Sequence, residues 1–218
     1  MTVVCITGTD TDVGKTLVTA ALGAALVEQG RSVVAVKPVE SGIELDGVED
    51  GVLIAEATGQ SAPLQALTRL LAPVAPPVAA DSEGVLLDTG LWTEAVIQLE
   101  HLVDVTLVEG AGGLLSPLTW DKNLRDLAQT WRATAIVVAV DKLGTLNHTL
   151  MTLDLLESAG IRPLGVVLNT LSHDSSTGSN AGVLKRMRPS LEVVTVPNVG
   201  SWREAIPAMA PVVKWIPL

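Results

Sequence analysis

The chain of 218 residues contains no Phe and no Tyr, so five Trp are its only aromatic side chains. A single Cys excludes an intramolecular disulfide framework and fits a reducing compartment such as the cytoplasm. The 14 Lys and Arg are outnumbered by 24 Asp and Glu, and the formal net charge of −10 argues against a nucleic-acid or anionic-membrane partner. The apolar runs are all shorter than the ~20 residues of a transmembrane helix.

Short apolar segments rich in β-branched residues alternate with segments typical of helices. The apolar segments lack period-two alternation, which is the pattern of a parallel sheet covered on both faces. The predicted strands are Thr2–Thr7, Ser32–Lys37, Asp104–Val108, Ala135–Val140, Leu164–Leu168 and Glu192–Val196. The predicted helices are Lys15–Gln29, Val52–Thr58, Thr89–Leu102, Asn123–Trp131 and Gly144–Ala159. The alternation predicts an α/β fold with a doubly wound, mainly parallel sheet and helices on both faces.

A long insert at 38–103 separates the second predicted strand from the third. It holds the acidic run GIELDGVEDG and the proline-rich run APVAPPVAAD, and it is longer than a simple crossover needs. Inserts of this length in compact domains are often functional loops. Because no internal repeat or separate second unit is evident, we expect one domain spanning residues 1–218.

The segment Gly8–Thr16, GTDTDVGKT, follows the first predicted strand and opens the first predicted helix. This is the context of a phosphate-binding loop, in which free amides at a helix start and the helix dipole attract an anion. Lys15 is expected at the β- and γ-phosphates and the Thr16 hydroxyl at Mg²⁺. Gly8 stands one residue early and Thr9 holds the usual glycine position, so the loop is a lengthened variant. It predicts a fold of the phosphate-loop NTPase type.

Two acidic residues end predicted strands and are candidates for holding Mg²⁺. Glu109 precedes the glycine-rich segment at 110–113, and Asp141 follows AIVVAV. Both are expected at the carboxyl edge of the sheet, where open α/β sheets bind ligands. Glu109 is favoured because the glycines after it let the backbone approach a ligand closely.

A second cation, Lys37, ends the second predicted strand, and Pro38 keeps it extended at the same edge of the sheet. Ser41 and Gly42 follow in a predicted turn. Two lysines beside one triphosphate indicate transfer chemistry, because charge that develops on a moving phosphoryl group needs fixed positive partners. Lys15 and Lys37 are therefore the candidate catalytic residues.

Together these segments resemble the dethiobiotin synthetase family. The matching motifs are TGTDTDVGKT at 7–16, KPVESG at 37–42, VEGAGGLLSP at 108–117, KLGTLNHT at 142–149, the strand-end Asn169, and VPN at 196–198. They extend over nearly the whole chain, and their combination is much more specific than the phosphate loop alone. The resemblance implies an ATP- and Mg²⁺-dependent ligase that acts as a homodimer.

In that family, 7,8-diaminopelargonic acid takes up CO₂, which bicarbonate can supply, as a carbamate on one amine. ATP phosphorylates the carbamate, and the second amine closes a cyclic urea to give dethiobiotin, ADP and phosphate. Because the carbamate and the γ-phosphate are both anions, their repulsion must be offset by Lys15, Lys37 and Mg²⁺. The resemblance assigns Lys37 to the carbamate and the transferring phosphate, and Ser41 to the substrate.

The resemblance assigns Mg²⁺ to Thr16, Glu109 and one acid of the insert. The family has an Asp at the start of the helix after the KPVESG segment, and Asp50 fits best here, with Glu49 and Asp46 as alternatives. Nucleotide contacts are implied at Asp12, Val13, Gly14, Lys15, Thr16, Leu17, Asp50, Glu109, Gly110, Ala111, Gly112, Asn169, Thr170, Pro197, Asn198 and Val199. The base would fall to Asn169 and Pro197-Asn198, and without Phe or Tyr to stack on it we expect loose base specificity.

The segment Gly144, Thr145, Leu146 and Asn147 opens a predicted helix. In the family the equivalent turn comes from the partner subunit and binds the substrate's tail carboxylate, a role that suits free helix N-terminal amides. This implies a homodimer with the substrate site at the subunit interface. The Ala/Val/Pro part of the insert is expected to line a slot for the hydrocarbon chain of the substrate.

Two other functions stay open. The ATPases of partition and septum-positioning systems share the loop, but they carry an early loop lysine where this chain has Asp10. A non-catalytic nucleotide-binding regulator is the second alternative, although such a protein would not need Lys37 and Ser41.

Overall fold

The computed structural model describes residues 1–44 and 47–217. The first half of the chain forms β1 (Thr2–Gly8), α1 (Lys15–Glu28), β2 (Val33–Val36), β3 (Val39–Ser41), α2 (Asp50–Thr58), β4 (Thr68–Leu70), α3 (Pro76–Glu83) and α4 (Thr89–Glu100). The second half forms β5 (Val105–Gly113), α5 (Leu124–Thr130), β6 (Thr134–Val140), α6 (Thr145–Ser158), β7 (Pro163–Asn169), α7 (Asn180–Met187), β8 (Val193–Val196), α8 (Trp202–Ala205), a 3-10 turn (Ile206–Met209) and α9 (Ala210–Val213). Within the described ranges, no helix combines the length and the apolar character needed to cross a bilayer.

The central sheet has six strands in the order β2-β5-β1-β6-β7-β8, and every neighbouring pair is parallel. All six carboxyl ends therefore meet at one edge. β1 lies between β5 and β6, so the loop that follows it emerges in the middle of that edge. The predicted doubly wound parallel fold is confirmed, and the phosphate loop occupies the position where such sheets bind ligands.

Helices cover both faces of the sheet, because successive side chains of a strand point to opposite sides. In β1, Val4 and Ile6 pack into a cluster with α1, α2 and the C-terminal helices. Val3 and Cys5 pack into a second cluster with α4, α5 and α6. This two-sided burial explains why the strands are apolar at nearly every position.

The insert contributes a second, two-stranded parallel sheet in which β3 pairs with β4. Ser41 was expected in a turn, and this expectation is wrong, because Ser41 is the last residue of β3 and aligns with Leu70. The proline-rich run holds the unpredicted helix α3, which starts at Pro76, where a missing N–H removes no helical hydrogen bond. Helix α2 begins at Asp50, two residues before its predicted start at Val52.

Candidate active site at the carboxyl edge of the sheet

A cleft of about 760 Å³ opens at the carboxyl edge, a size typical of a small-molecule site. The predicted residues that line it are Asp12, Gly14, Lys15, Thr16, Lys37, Ser41, Asp50, Ala111 and Gly112. The residues that line it without having been predicted individually are Thr11, Glu40, Gly42, Pro73, Val74, Ala75, Pro76, Ser116 and Pro117. The stretch Pro73–Pro76 belongs to the Ala/Val/Pro part of the insert, so this part does border the cleft as expected.

The phosphate loop turns into α1 at Gly14. The φ angle of Gly14 is 91°, and a Cβ atom there would lie 2.0 Å from Nδ2 of Asn169. The Nζ of Lys15 donates a hydrogen bond to the carbonyl oxygen of Asp10 at 3.1 Å, so the side chain folds back over the loop. The amides of the first turn of α1 have no intrahelical acceptor, and together with Lys15 they form a site suited to phosphate.

Lys37 is the centre of a compact charged group beside the loop. Its Nζ donates to Oε1 of Glu109 at 2.9 Å and to Oδ2 of Asp50. The Oγ1 of Thr16 donates to the same Glu109 oxygen at 2.8 Å. Lys37 and Glu109 are buried, whereas the side chain of Asp50 is 39% exposed. We call Lys37, Asp50, Glu109 and Thr16 the acid–lysine group.

Burial and charge act in opposite directions on the two lysines. Burial lowers the pKa of Lys37, but the charges of Glu109 and Asp50 and their hydrogen bonds outweigh it, so the pKa of Lys37 is raised. For Lys15, burial outweighs the attraction of Glu109, and repulsion by Lys37 adds to it, so the pKa of Lys15 is lowered. A bound triphosphate would add an anionic partner, which favours the charged form of Lys15.

Thr16, Asp50 and Glu109 form an oxygen set that fits Mg²⁺. The Oε2 of Glu109 is buried and has no hydrogen-bond partner among the described residues, and a cation or one of its waters would satisfy it. Mg²⁺ usually takes one or two carboxylates and completes its octahedron with waters and phosphate oxygens. No three His, Cys, Asp or Glu side chains cluster as metal ligands within 1–44 and 47–217.

The contacts favour Asp50 over Glu49 as the acid of the insert. The carboxylate of Glu49 accepts from Nε of Arg69 at 2.7 Å and also from its Nη2, and Glu49 does not line the cleft, whereas Asp50 does. The other alternative, Asp46, lies outside the described residues. Asp50 is both the first residue of α2 and the partner of Lys37.

Glu40 is a buried acid of the cleft that was not predicted. Its Oε1 accepts the backbone N–H of Asp50 at 2.6 Å, and its Oε2 accepts that of Gly51 at 2.9 Å. Burial raises the pKa of Glu40, and the two amide hydrogen bonds and the charge of Lys37 only partly offset this. The one sequence feature that could have indicated Glu40 is its position in the KPVESG segment, between Lys37 and Ser41.

The glycine-rich segment after Glu109 divides between the cleft and the core. Ala111 and Gly112 line the cleft, and the Oγ of Ser116 accepts the N–H of Gly113 at 2.8 Å. Gly110 is buried against Leu124 of α5. Only part of the predicted Gly110–Gly112 contact therefore faces the cleft directly.

The residues predicted to hold the base lie outside the lining of this cleft. Asn169 is buried at the end of β7, where its Nδ2 donates to the carbonyl oxygen of Val13 at 3.2 Å. The side chain of Val13 is buried in the core, so Val13 can reach a nucleotide only through its backbone, whereas Leu17 is half-buried against the same cluster. Thr170 is buried, Val199 is half-buried, and Pro197 and Asn198 are exposed after β8. Their contacts with a base stay predictions.

Asp141, the less favoured candidate for Mg²⁺, is buried and fully engaged elsewhere. Its carboxylate accepts the N–H of Gly178 at 2.8 Å and Nδ2 of Asn180 at 2.7 Å. These bonds fasten the loop before α7 to the end of β6. The contacts therefore agree with the preference for Glu109.

The turn Gly144–Asn147 starts α6 and does not line the cleft of its own chain. Thr145 is buried, whereas Gly144 and Asn147 are exposed. The preceding residue, Leu143, is 76% exposed, and its N–H donates to Oδ2 of Asp174 at 2.8 Å. A role in the site of a second subunit stays a prediction.

Solved structures with similar folds include a cell division ATPase and a diamide synthase. The cell division ATPase MinD of Pyrococcus furiosus has a TM-score of 0.63 at 19% identity, with 98% of each chain covered. Cobyrinic acid a,c-diamide synthase of Mycobacterium smegmatis has a TM-score of 0.57 at 19% identity, with 99% of this chain and 96% of that chain covered. At these identities the likeness shows the fold alone.

Sequence comparison is more specific. A family profile described as an AAA domain matches residues 2–207. The chain is 40% identical over 172 residues to the ATP-dependent dethiobiotin synthetase BioD of Rhodococcus erythropolis, covering 78% of this chain and 76% of that protein. It is 43% identical over 172 residues to the protein of the same name from Mycobacteroides abscessus, covering 78% and 74%. With this identity and coverage, the chain belongs to the ATP-dependent dethiobiotin synthetase family.

Proposed function

We propose that the protein uses ATP and Mg²⁺ to join 7,8-diaminopelargonic acid and CO₂ into dethiobiotin, with release of ADP and phosphate. The observation that carries the proposal is the acid–lysine group beside the phosphate loop. A site that only binds a nucleotide has no need of a second buried lysine fixed between two carboxylates. Family membership supports the same reaction.

In the phosphorylation step, a carbamate oxygen attacks the γ-phosphorus of ATP, and the bond to the bridging oxygen of ADP breaks. The attacking and the attacked groups are both anionic, so the barrier depends on fixed positive charge. Lys15 would hold the β- and γ-phosphates from the loop, while Lys37 lies where it can contact both the carbamate and the moving phosphoryl group. Bound Mg²⁺, held by Thr16, Asp50 and Glu109, would neutralise further charge on the phosphate oxygens.

In the ring-closing step, the nitrogen of the second amine attacks the carbamoyl carbon, and the carbon–oxygen bond to phosphate breaks. The amine loses its proton, and phosphate leaves with the electron pair of the broken bond. Ser41 lines the cleft near Lys37, where its hydroxyl can bind the substrate. The ammonium of Lys37 would supply positive charge beside the departing phosphate.

The hydrocarbon chain of the substrate would pack against the stretch Pro73–Pro76, which gives the cleft an apolar wall. The tail carboxylate would bind the turn Gly144–Asn147 of a partner subunit, because that turn offers helix N-terminal amides and lies outside the cleft of its own chain. The proposal therefore includes a homodimer. The predicted base contacts at Asn169 and Pro197-Asn198, the open nucleotide preference and the cytoplasmic location are parts of it that rest on the sequence.

A direct assay tests the activity. The purified protein is incubated with 7,8-diaminopelargonic acid, bicarbonate, Mg²⁺ and ATP, and dethiobiotin and ADP are quantified by mass spectrometry. We expect equal amounts of both products and no dethiobiotin when the diamine, bicarbonate or Mg²⁺ is omitted. ATP turnover that is unaffected by the diamine would contradict the proposal and favour an ATPase switch, whereas nucleotide binding without turnover would favour a regulator.

A further inference from the structure

We infer that Glu40 is a positioning residue that holds the Asp50 carboxylate in the acid–lysine group. It would do so by accepting hydrogen bonds from the backbone at the start of α2. The inference rests on the proposed function, in which Asp50 is a ligand of Mg²⁺. Glu40 itself would touch neither the metal nor the nucleotide.

Glu40 makes a double hydrogen bond to the start of α2. The two oxygens of Glu40 accept the N–H groups of Asp50 and Gly51 separately, at 2.6 and 2.9 Å. Glu40 is only 7% exposed, so these amides have a buried partner at the end of the helix where amides otherwise lack one. The negative charge also favours the positive end of the helix dipole. Glu40 thus fixes the backbone position of Asp50, and this restricts where the Asp50 carboxylate can lie.

The small sheet in the insert places a second side chain at the start of α2. Glu40 of β3 lies beside Arg69 of β4, and Arg69 binds the carboxylate of Glu49. This cross-strand pair therefore holds three consecutive residues at the start of α2. Gly51 adds to the fit, since a Cβ atom there would lie 2.3 Å from the backbone N of Ala66.

Glu40 is negatively charged and lies beside a second acid. Glu40 and Asp50 are both acidic and lie close together, since a carboxylate oxygen of Glu40 is 2.6 Å from the backbone N of Asp50. An acid at this place costs desolvation and repulsion, so its presence needs a compensating gain. A carboxylate can accept from two adjacent amides, whereas a Gln can accept from one and would point an NH₂ group at the other. The two amide contacts therefore explain why position 40 holds Glu and not Gln.

The test measures metal binding apart from turnover. Mn²⁺ replaces Mg²⁺, and its free concentration is followed by electron paramagnetic resonance in the presence of a non-hydrolysable ATP analogue. For Glu40→Gln we expect Mn²⁺ affinity to fall by about tenfold, the range in which partners of metal ligands usually act. Affinity for the same analogue in EDTA should change by less than about twofold, because the phosphate loop is untouched. Circular dichroism and thermal unfolding verify the fold of each variant.

Glu83→Gln is the matched control. The carboxylate of Glu83 also accepts two successive backbone amides, from Leu71 and Ala72, and it belongs to the same insert. These amides do not belong to a candidate metal ligand. We expect Glu83→Gln to leave the Mn²⁺ affinity within about twofold of the wild type while removing a comparable pair of amide contacts. A loss of Mn²⁺ affinity as large as that of Glu40→Gln would mean that any loosening of the insert suffices, and would overturn the inference.

A double-mutant cycle with Asp50→Asn separates the inference from the proposed function. If Glu40 acts through Asp50, then Glu40→Gln should weaken Mn²⁺ binding in the wild type and have little effect in the Asp50→Asn background. Additive losses, or a Glu40→Gln variant that binds Mn²⁺ like the wild type, would overturn the inference. If Asp50→Asn alone leaves Mn²⁺ binding unchanged, then the metal-site assignment of the proposed function fails instead.

Discussion

At the residue scale, Lys37 neutralises two carboxylates that would otherwise repel each other when no metal ion is bound. Glu109 and Asp50 both contact its ammonium group, and Glu109 is completely buried. A buried carboxylate without a cation is costly, so Lys37 stabilises the site before any ligand arrives. In the proposed mechanism, binding of Mg²⁺ and ATP would make the same ammonium available to the transferring phosphate. One side chain thus serves the fold and the proposed chemistry.

Replacing Lys37 with Ala should separate catalysis from nucleotide binding. We expect kcat for dethiobiotin formation to fall by about 10³-fold, which is the scale of losing a group that stabilises transition-state charge. The dissociation constant of a non-hydrolysable ATP analogue should rise by no more than about tenfold, because Lys15 and the loop amides supply most of the grip on phosphate. The two quantities are measured by steady-state kinetics and by calorimetry.

Lys185→Ala is the control for Lys37→Ala, since Lys185 is an exposed lysine in α7. It should leave both quantities at the wild-type level. Equal losses of kcat and nucleotide affinity in Lys37→Ala would reduce Lys37 to a nucleotide ligand.

At the element scale, the two ends of α1 use glycine for different reasons. Gly14 before the helix and Gly30 after it have φ angles of 91° and 79°, in the left-handed region. A Cβ atom at Gly30 would meet nothing within 4 Å, whereas one at Gly14 would lie 2.0 Å from Nδ2 of Asn169. Gly14 therefore allows the phosphate loop to approach Asn169 at the end of β7 closely, whereas Gly30 only ends the helix.

The two glycine-to-alanine variants should differ accordingly. Gly30→Ala should cost about 1 kcal/mol of unfolding free energy, from the backbone conformation alone. Gly14→Ala carries the same backbone cost and must also displace Asn169, so it should be less stable than Gly30→Ala and bind the ATP analogue more than about tenfold more weakly. Urea denaturation and calorimetry measure the two effects. If Gly14→Ala matched Gly30→Ala in both, the contact with Asn169 would have no influence on the loop.

Elements with a strong local signal could be predicted from the sequence. The apolar blocks of β1, β6 and β7 and the helix that follows the phosphate loop are examples, since burial on two faces and loop chemistry leave clear patterns. The strands β3 and β4, with three residues each, have no such pattern, because their pairing depends on contacts between distant segments. Lys37 and Glu109 could be predicted because each directly follows the apolar run of a strand, although Glu109 lies inside β5, which continues past the predicted end at Val108 to Gly113. The role of Glu40 could not be predicted, because it depends on how the start of α2 is placed relative to β3 in the folded structure.

At the scale of the whole molecule, the net charge of −10 does not oppose the binding of one triphosphate. Charges on the exposed surface are screened beyond about 8 Å at physiological salt. The phosphates would meet Lys15, Lys37 and the amides at the start of α1, all of which line or adjoin one cleft. The excess acid still disfavours long polyanions, which would contact a large part of the surface.

The remaining question at this scale is whether one chain forms a complete site. The turn Gly144–Asn147 lies outside the cleft of its own chain, and the proposed homodimer would bring it to the cleft of the partner. In sedimentation experiments, the protein should therefore have about twice the mass of the 22.7 kDa chain. Asn147→Asp should preserve the fold, because an acid suits the first turn of α6, but it should repel the tail carboxylate and raise KM for the diamine. Lys37→Ala should inactivate the other half of the composite site.

Mixing these two variants provides the decisive measurement. In a heterodimer of Lys37→Ala with Asn147→Asp, one site carries both defects and the other carries none. After denaturation and refolding of an equimolar mixture, about half of the dimers are mixed, and half of their sites are intact. We therefore expect about a quarter of wild-type activity at low diamine concentration, from two parents that are each nearly inactive under these conditions. If each chain instead used its own turn, every site would carry one defect, and the mixture would show only the mean activity of its parents.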